Sequence, residues 1–227
     1  MADDSFPKPF SIPKLILIPA LVTLAVTILR LIGELSHGSR TWFTTDMGAS
    51  IVGIVWLAPV FGAYFAIRLV RNGYAPQSFW RALAFAGLGV LILFARGIIA
   101  EGLGHLGLQP TFHQRLVFIW ALLAVAAVAT LPGWPALFKT QLAYAYGARV
   151  PVAIIMFFAI RGHWGTHYDA APPDVPAGIS LMAKYLWLGF FPQLIFWVGF
   201  TVVVGMVVGS LVAPLAKIRS GSPKAAV

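Results

Sequence analysis

Six stretches of this chain are apolar on nearly every side, and each is long enough to cross a lipid bilayer. They run approximately Lys14–Leu35, Gly48–Val70, Ala82–Leu103, Arg115–Trp134, Phe138–Arg161 and Lys184–Pro214. A helix that crosses the hydrocarbon core needs roughly 20 apolar residues. Barrel strands are shorter and alternate apolar with polar positions, an alternation these stretches lack. The pattern predicts an all-α integral membrane protein with six transmembrane helices. The six-helix domain covers residues 14–214, with short tails at 1–13 and 215–227. Little chain is left between the spans to build a soluble domain.

Composition agrees with the pattern. The 227 residues are 59% hydrophobic and 10% charged, with a mean hydropathy of +0.86; soluble domains carry about 25% charged residues. The first span reads as a retained helix rather than a cleaved signal. Asp3 and Asp4 precede it, Arg30 and Glu34 lie at its far end, and no small-residue cleavage site follows. The chain has no cysteine, which excludes a disulfide framework, a thiol nucleophile and a thiolate metal site.

The net charge of +9 bears on orientation. Basic residues are dispersed through loops, with no cluster suited to a phosphate backbone, so no nucleic-acid partner is expected. Lys8, Lys14, Arg68, Arg71, Arg81, Lys139, Lys217, Arg219 and Lys224 fall on one side, and Arg40, Arg115, Arg161 and Lys184 on the other. The excess of Lys and Arg on cytoplasmic loops then predicts a multi-pass protein of a bacterial-type inner (plasma) membrane, with both termini cytoplasmic. On that topology all five histidines and five of the seven carboxylates lie at the outer face.

The odd-numbered helices leave the membrane through similar ends: Arg30, Glu34 and His37; Arg96, Glu101 and His105; Arg161 and His163. This raises the expectation of three related helical hairpins. Residues four apart on a helix differ by about 40° and seven apart by about 20°, so Arg30, Glu34 and His37 form one stripe. Glu101 and His105 share a face. Arg96 points about 140° away from Glu101 and needs a partner on another helix, for which Glu34 is the natural choice. Arg30, Glu34, Arg96 and Glu101 are thus the expected ligand or proton site. Charges inside a membrane normally face the bundle interior and pair.

A divalent metal is a second expectation. His37, Glu101, His105, His163 and His167 supply imidazole and carboxylate ligands suited to zinc or iron if their helix ends converge. His163 and His167 have the spacing that brings two imidazoles to one helix face, but Gly162, Gly165 and Pro172-Pro173 around them disfavour a helix. A solvated histidine pair in a long loop is the expected arrangement.

Other signals are structural. Pro19, Pro59, Pro151 and Pro192 mark kinks within spans. Gly205 and Gly209 form a small-xxx-small pair, a close-packing face and a candidate oligomer contact. Trp42, Trp80, Trp134 and Trp164 make an interfacial belt. Arg149 is read as snorkelling to the inner headgroups. Gly102-Leu-Gly-His-Leu-Gly107 matches a nucleotide fingerprint only as a string, because it follows a membrane helix rather than a strand.

Three function classes fit this reading. The first is binding or translocation of a small solute or ion in an outward-facing polar pocket. The second is a membrane-embedded, metal-dependent enzyme acting on a lipid-like substrate at the outer interface. The third is a non-catalytic subunit of a larger membrane complex.

Overall fold

The computed structural model describes residues 10–45 and 50–220, without the side chains at 96, 100 and 218–220. The described residues form an all-α fold with no strand. Six helices are long and apolar enough to cross a membrane. They are α1 (Ile12–Leu35), α2 (Leu57–Arg71, entered through a 3-10 turn at Ile54–Trp56), α3 (Phe79–His105), α4 (Phe112–Ala129), α5 (Pro135–Gly162) and α6 (Leu181–Lys217).

Most helix ends fall a few residues outside the hydropathy limits, because the caps are polar. Ser78 starts α3, its hydroxyl accepting from the Arg81 amide at 3.3 Å. Thr111 and Gln114 start α4 with a reciprocal capping box, which satisfies two otherwise orphaned backbone donors. The N-terminus of the second span departs most from expectation. Asp46 and its neighbours at 47–49 lie outside the described residues. Ser50 is not helical, and its hydroxyl donates to the Trp42 carbonyl at 2.5 Å. Helix geometry therefore begins at Ile54 rather than Gly48.

The hairpins pack in different ways. α1 lies mainly against α5, α2 against α6, and α3 against α4 and α6. The closest approach is between α2 and α6. A Cβ placed on Gly62 would lie 2.7 Å from the Gly205 Cα, and one on Gly209 would lie 3.2 Å from the Gly62 carbonyl oxygen. The small-residue face on Gly205 and Gly209 is thus used inside the chain. Both glycines are buried there.

Packing is uneven along the bundle axis. Toward the end where α1 begins and α6 finishes the interior is filled by Phe65, Leu69, Leu137, Tyr144, Val202 and Met206. Trp134 belongs to this core rather than to an interfacial belt. It is 1% exposed, and its indole N–H donates to the Tyr74 carbonyl at 2.9 Å. Toward the opposite, loop-bearing end the buried cluster is small: Val152, Met156 and Ala159 around Tyr168. One half of the bundle is solid and the other is not.

Gly62→Ala should cost about 1–3 kcal/mol, because the added methyl meets backbone and the helices must part. Gly87→Ala, where a Cβ meets nothing within 4 Å, should be neutral or stabilising. Thermal unfolding of both variants in detergent micelles measures the contrast.

Candidate functional site

The loop-bearing half is organised around one carboxylate. The Glu34 side chain is fully buried, and Arg30, one turn earlier on α1, donates from Nε to Glu34 Oε1 at 2.7 Å. The second partner comes from 133 residues away: the His167 backbone N–H donates to Oε2 at 2.9 Å. The ring Nδ1 of His167 lies 2.6 and 2.8 Å from the two carboxylate oxygens. The carboxylate is left acceptor-only and surrounded by donors, as a buried charge requires. Arg30 also reaches the Thr44 carbonyl at 3.1 Å, tying the α1–α2 loop to the same centre.

His167 can reach Glu34 because the loop after α5 dips into the bundle. α5 ends at His163 in the left-handed conformation (φ 50), and Gly165 follows at φ 70, the region that glycine occupies without steric cost. The Asp169 carboxylate then accepts from the Gly165 and Thr166 amides and from the Thr166 hydroxyl, at 3.0, 2.7 and 2.8 Å. That knot turns the next residues inward. Tyr168 becomes buried, and its hydroxyl donates to the Thr27 carbonyl at 3.1 Å. The loop is a lid, latched to α1 by two consecutive side chains.

Beneath the lid lies a cavity of about 580 Å³. Its aromatic wall includes Trp120 and Trp187, stacked with ring centroids 5.4 Å apart. Trp197, Phe196 and Phe200 continue the wall on α6. This part of α6 is not α-helical: Tyr185–Phe190 and Pro192–Trp197 are π-helical. Proline inside a helix lacks the N–H and presses its ring on the carbonyl four residues back; a wider turn relieves that clash. Such turns are frequent at functional sites, and here they place Gln193 and Trp197 on the cavity.

Arg149 lies on the wall facing them. It stands 14 and 13 residues from the two ends of α5, roughly 20 Å of helix on either side at 1.5 Å per residue. That distance is beyond the reach of snorkelling, so the expectation of a headgroup contact is corrected. Arg149 is 4% exposed and lines the cavity. Its guanidinium lies 4.8 Å from the Trp197 ring centroid and 3.5 Å from Gln193 Oε1. The Gln193 amide nitrogen donates to the Met156 sulfur at 3.3 Å, which aims its oxygen at the cation. No carboxylate among the described residues pairs with Arg149.

The other expected site residues are scattered. His37 lies beyond the end of α1, in the left-handed conformation (φ 52) and exposed, so it leaves the Arg30–Glu34 stripe. Glu101 and His105 do meet, at 3.8 Å, but with both side chains about three-quarters exposed. The Arg96 side chain, and with it the expected Glu34–Arg96 pair, lies outside the described residues. His163 is exposed while His167 is folded inward, so the two do not form a solvated pair. Among the described residues no three of His, Cys, Asp and Glu come together as a metal-binding set. No family model, curated protein or solved structure matches the chain.

The latch sets two expectations. Glu34→Gln leaves Arg30 buried without its counter-charge, and breaking a buried pair in this way costs about 3–5 kcal/mol. Thermal unfolding should record that loss. A cysteine at Ala170, on the lid, should react faster in the Glu34→Gln background. Arg30→Met combined with Glu34→Gln should recover part of the stability, as coupled positions do.

The second concerns pH. Burial holds His167 below the usual histidine range, and the Arg30 cation acts in the same direction, while Glu34 and Asp169 oppose it. The folded state keeps this ring neutral, whereas the unfolded chain binds a proton near the ordinary value of about 6.5. Its contribution to stability is therefore present above that pH and lost as pH falls. The melting temperature should drop between about pH 7.5 and 5.5. His167→Asn, which keeps an N–H for Glu34, should flatten the drop.

Proposed function

We propose that this chain is an inner-membrane protein of bacterial type that binds a small solute in an outward-facing cavity, either as a receptor or as the outward-open state of a carrier. The observation that carries the reading is the cavity itself. Its volume of about 580 Å³ falls in the roughly 300–1,000 Å³ range of ligand pockets. Its walls are mostly aromatic and aliphatic, with a few polar groups: Thr27, Arg30, Arg149, His167, Tyr168 and Gln193. That is the usual composition of a small-molecule site.

The uneven packing supports the same reading. A solute entering at the loop-bearing end would pass the lid, meet Arg149, and stop at the solid core of Phe65, Tyr144 and Met206. A blind cavity of this kind holds a ligand; passage would require a second packing of the core. The Lys and Arg bias supports an orientation with the loop-bearing end outside and both termini in the cytoplasm.

The absence of cysteine makes accessibility a clean test. Gln77→Cys should react only from the cytoplasmic side, and Ala177→Cys, in the lid loop, only from outside. Ile119→Cys, on the cavity wall, should react with a small water-soluble thiol reagent added outside, whereas Leu137→Cys in the solid core should not. An unreactive Ile119→Cys would remove the outward-facing cavity.

A further inference from the structure

We propose that the ligand of this cavity is an amphipathic monoanion: one acidic head group, carboxylate in the simplest case, on an apolar chain or ring. The inference rests on the binding cavity proposed above and names its ligand class. It comes from a count of charge. Arg30 and Glu34 cancel each other at 2.7 Å, and burial keeps His167 neutral. The residues lining the cavity include two arginines and no aspartate or glutamate. What remains is a single positive charge on Arg149, nine-tenths or more buried.

A lone buried cation is costly, and in the interior of a membrane protein it is normally paired or functional. The neighbours of Arg149 do not neutralise it. Trp197 offers a ring face at 4.8 Å, and Gln193 offers a neutral oxygen at 3.5 Å, the outer limit of a hydrogen bond. A guanidinium presents a planar fork of donors that matches a carboxylate or phosphate oxygen pair. One monoanion would complete the charge balance of the cavity.

The rest of the ligand follows from the walls. Apart from Thr27, Arg30, Arg149, His167, Tyr168 and Gln193, the lining is apolar or aromatic, with Trp120, Trp187, Phe196 and Phe200 prominent in it. A fully polar anion would lose its hydration there without replacement. An apolar body gains from the same burial. Two sources share this chemistry: long-chain acids from the bilayer and aromatic acids from water.

The test uses the full chain in lipid-free micelles at pH 8, where carboxylic acids are ionised. Binding of cis-parinarate, a fluorescent polyene acid, is read by energy transfer from the cavity tryptophans. Displacement then compares matched pairs: palmitate with hexadecanol, and 1-naphthoate with 1-naphthalenemethanol. At least one acid should bind roughly tenfold or more tightly than its alcohol, the scale of a hydrogen bond to a charged group. Whichever pair shows the preference identifies the source. Arg149→Met should abolish the preference without lowering the melting temperature of the ligand-free protein. Gln193→Glu, which supplies a built-in carboxylate beside Arg149, should abolish it as well and keeps the test decisive if Arg149→Met does not fold.

Equal binding of acids and alcohols by the unmodified protein would overturn the anion assignment while leaving a binding cavity. Binding of neither class would remove the cavity's function altogether. A preference that survives both substitutions, with Arg149→Met less stable, would make Arg149 a structural brace and overturn the proposal.

Discussion

The fully buried carboxylate of Glu34 is the constraint on which the loop-bearing half of the molecule depends. An uncompensated carboxylate cannot be held away from water, so its acceptor sites must be filled by donors. α1 alone can supply only one, Arg30 Nε. The remainder has to come from outside the helix, and the lid loop brings both a backbone N–H and a ring nitrogen from His167. Satisfying one charge thus fixes the position of a loop that would otherwise be free to leave the bundle. The cavity owes its roof to this requirement.

The other half of the bundle is governed by shape rather than charge. In lipid there is little hydrophobic gain from bringing helices together, and close packing of small residues takes over. Gly62, Gly205 and Gly209 let α2 and α6 meet backbone to backbone, and large side chains such as Phe65, Leu69 and Met206 fill the volume around the crossing. The two halves solve different problems with different residues. Arg149 stands at their boundary, where the packed core stops and the open volume starts.

Much of the fold is legible in the sequence because the bilayer imposes a length on every span, and hydropathy reports that length directly. The Arg30–Glu34 pair is equally legible, since a spacing of four puts both on one helix face. The Glu34–His167 contact is not, because 133 residues separate them and no local rule says that the lid turns inward. Gly165 and Asp169 are the signal in hindsight: one permits the turn and the other ties it. Arg149 is legible by position: it stands 11 and 12 residues from the ends of the span Phe138–Arg161, and 14 and 13 from those of α5, so both bounds put it near the middle of the helix, too far from either end to snorkel. Gly205 and Gly209 announce a close contact but not its partner, which is a helix of the same chain. The π-helical path of α6 has no sequence periodicity of its own; only Pro192 hints at it.

That path makes α6 tolerant of length in a way the other helices are not. A π turn completes its rotation with one more residue than an α turn, so the two stretches between Tyr185 and Trp197 take up surplus chain without turning what lies beyond them. Deleting a single residue there would let the helix relax to regular α geometry and leave the register downstream unchanged. The same deletion in the α-helical part that follows Trp197 would rotate everything beyond it by about 100°. Gly205 would turn away from Gly62, and a bulkier neighbour would meet the α2 backbone. Along the π-helical segment a residue can be lost at little cost to the packing below it, and beyond that segment it cannot.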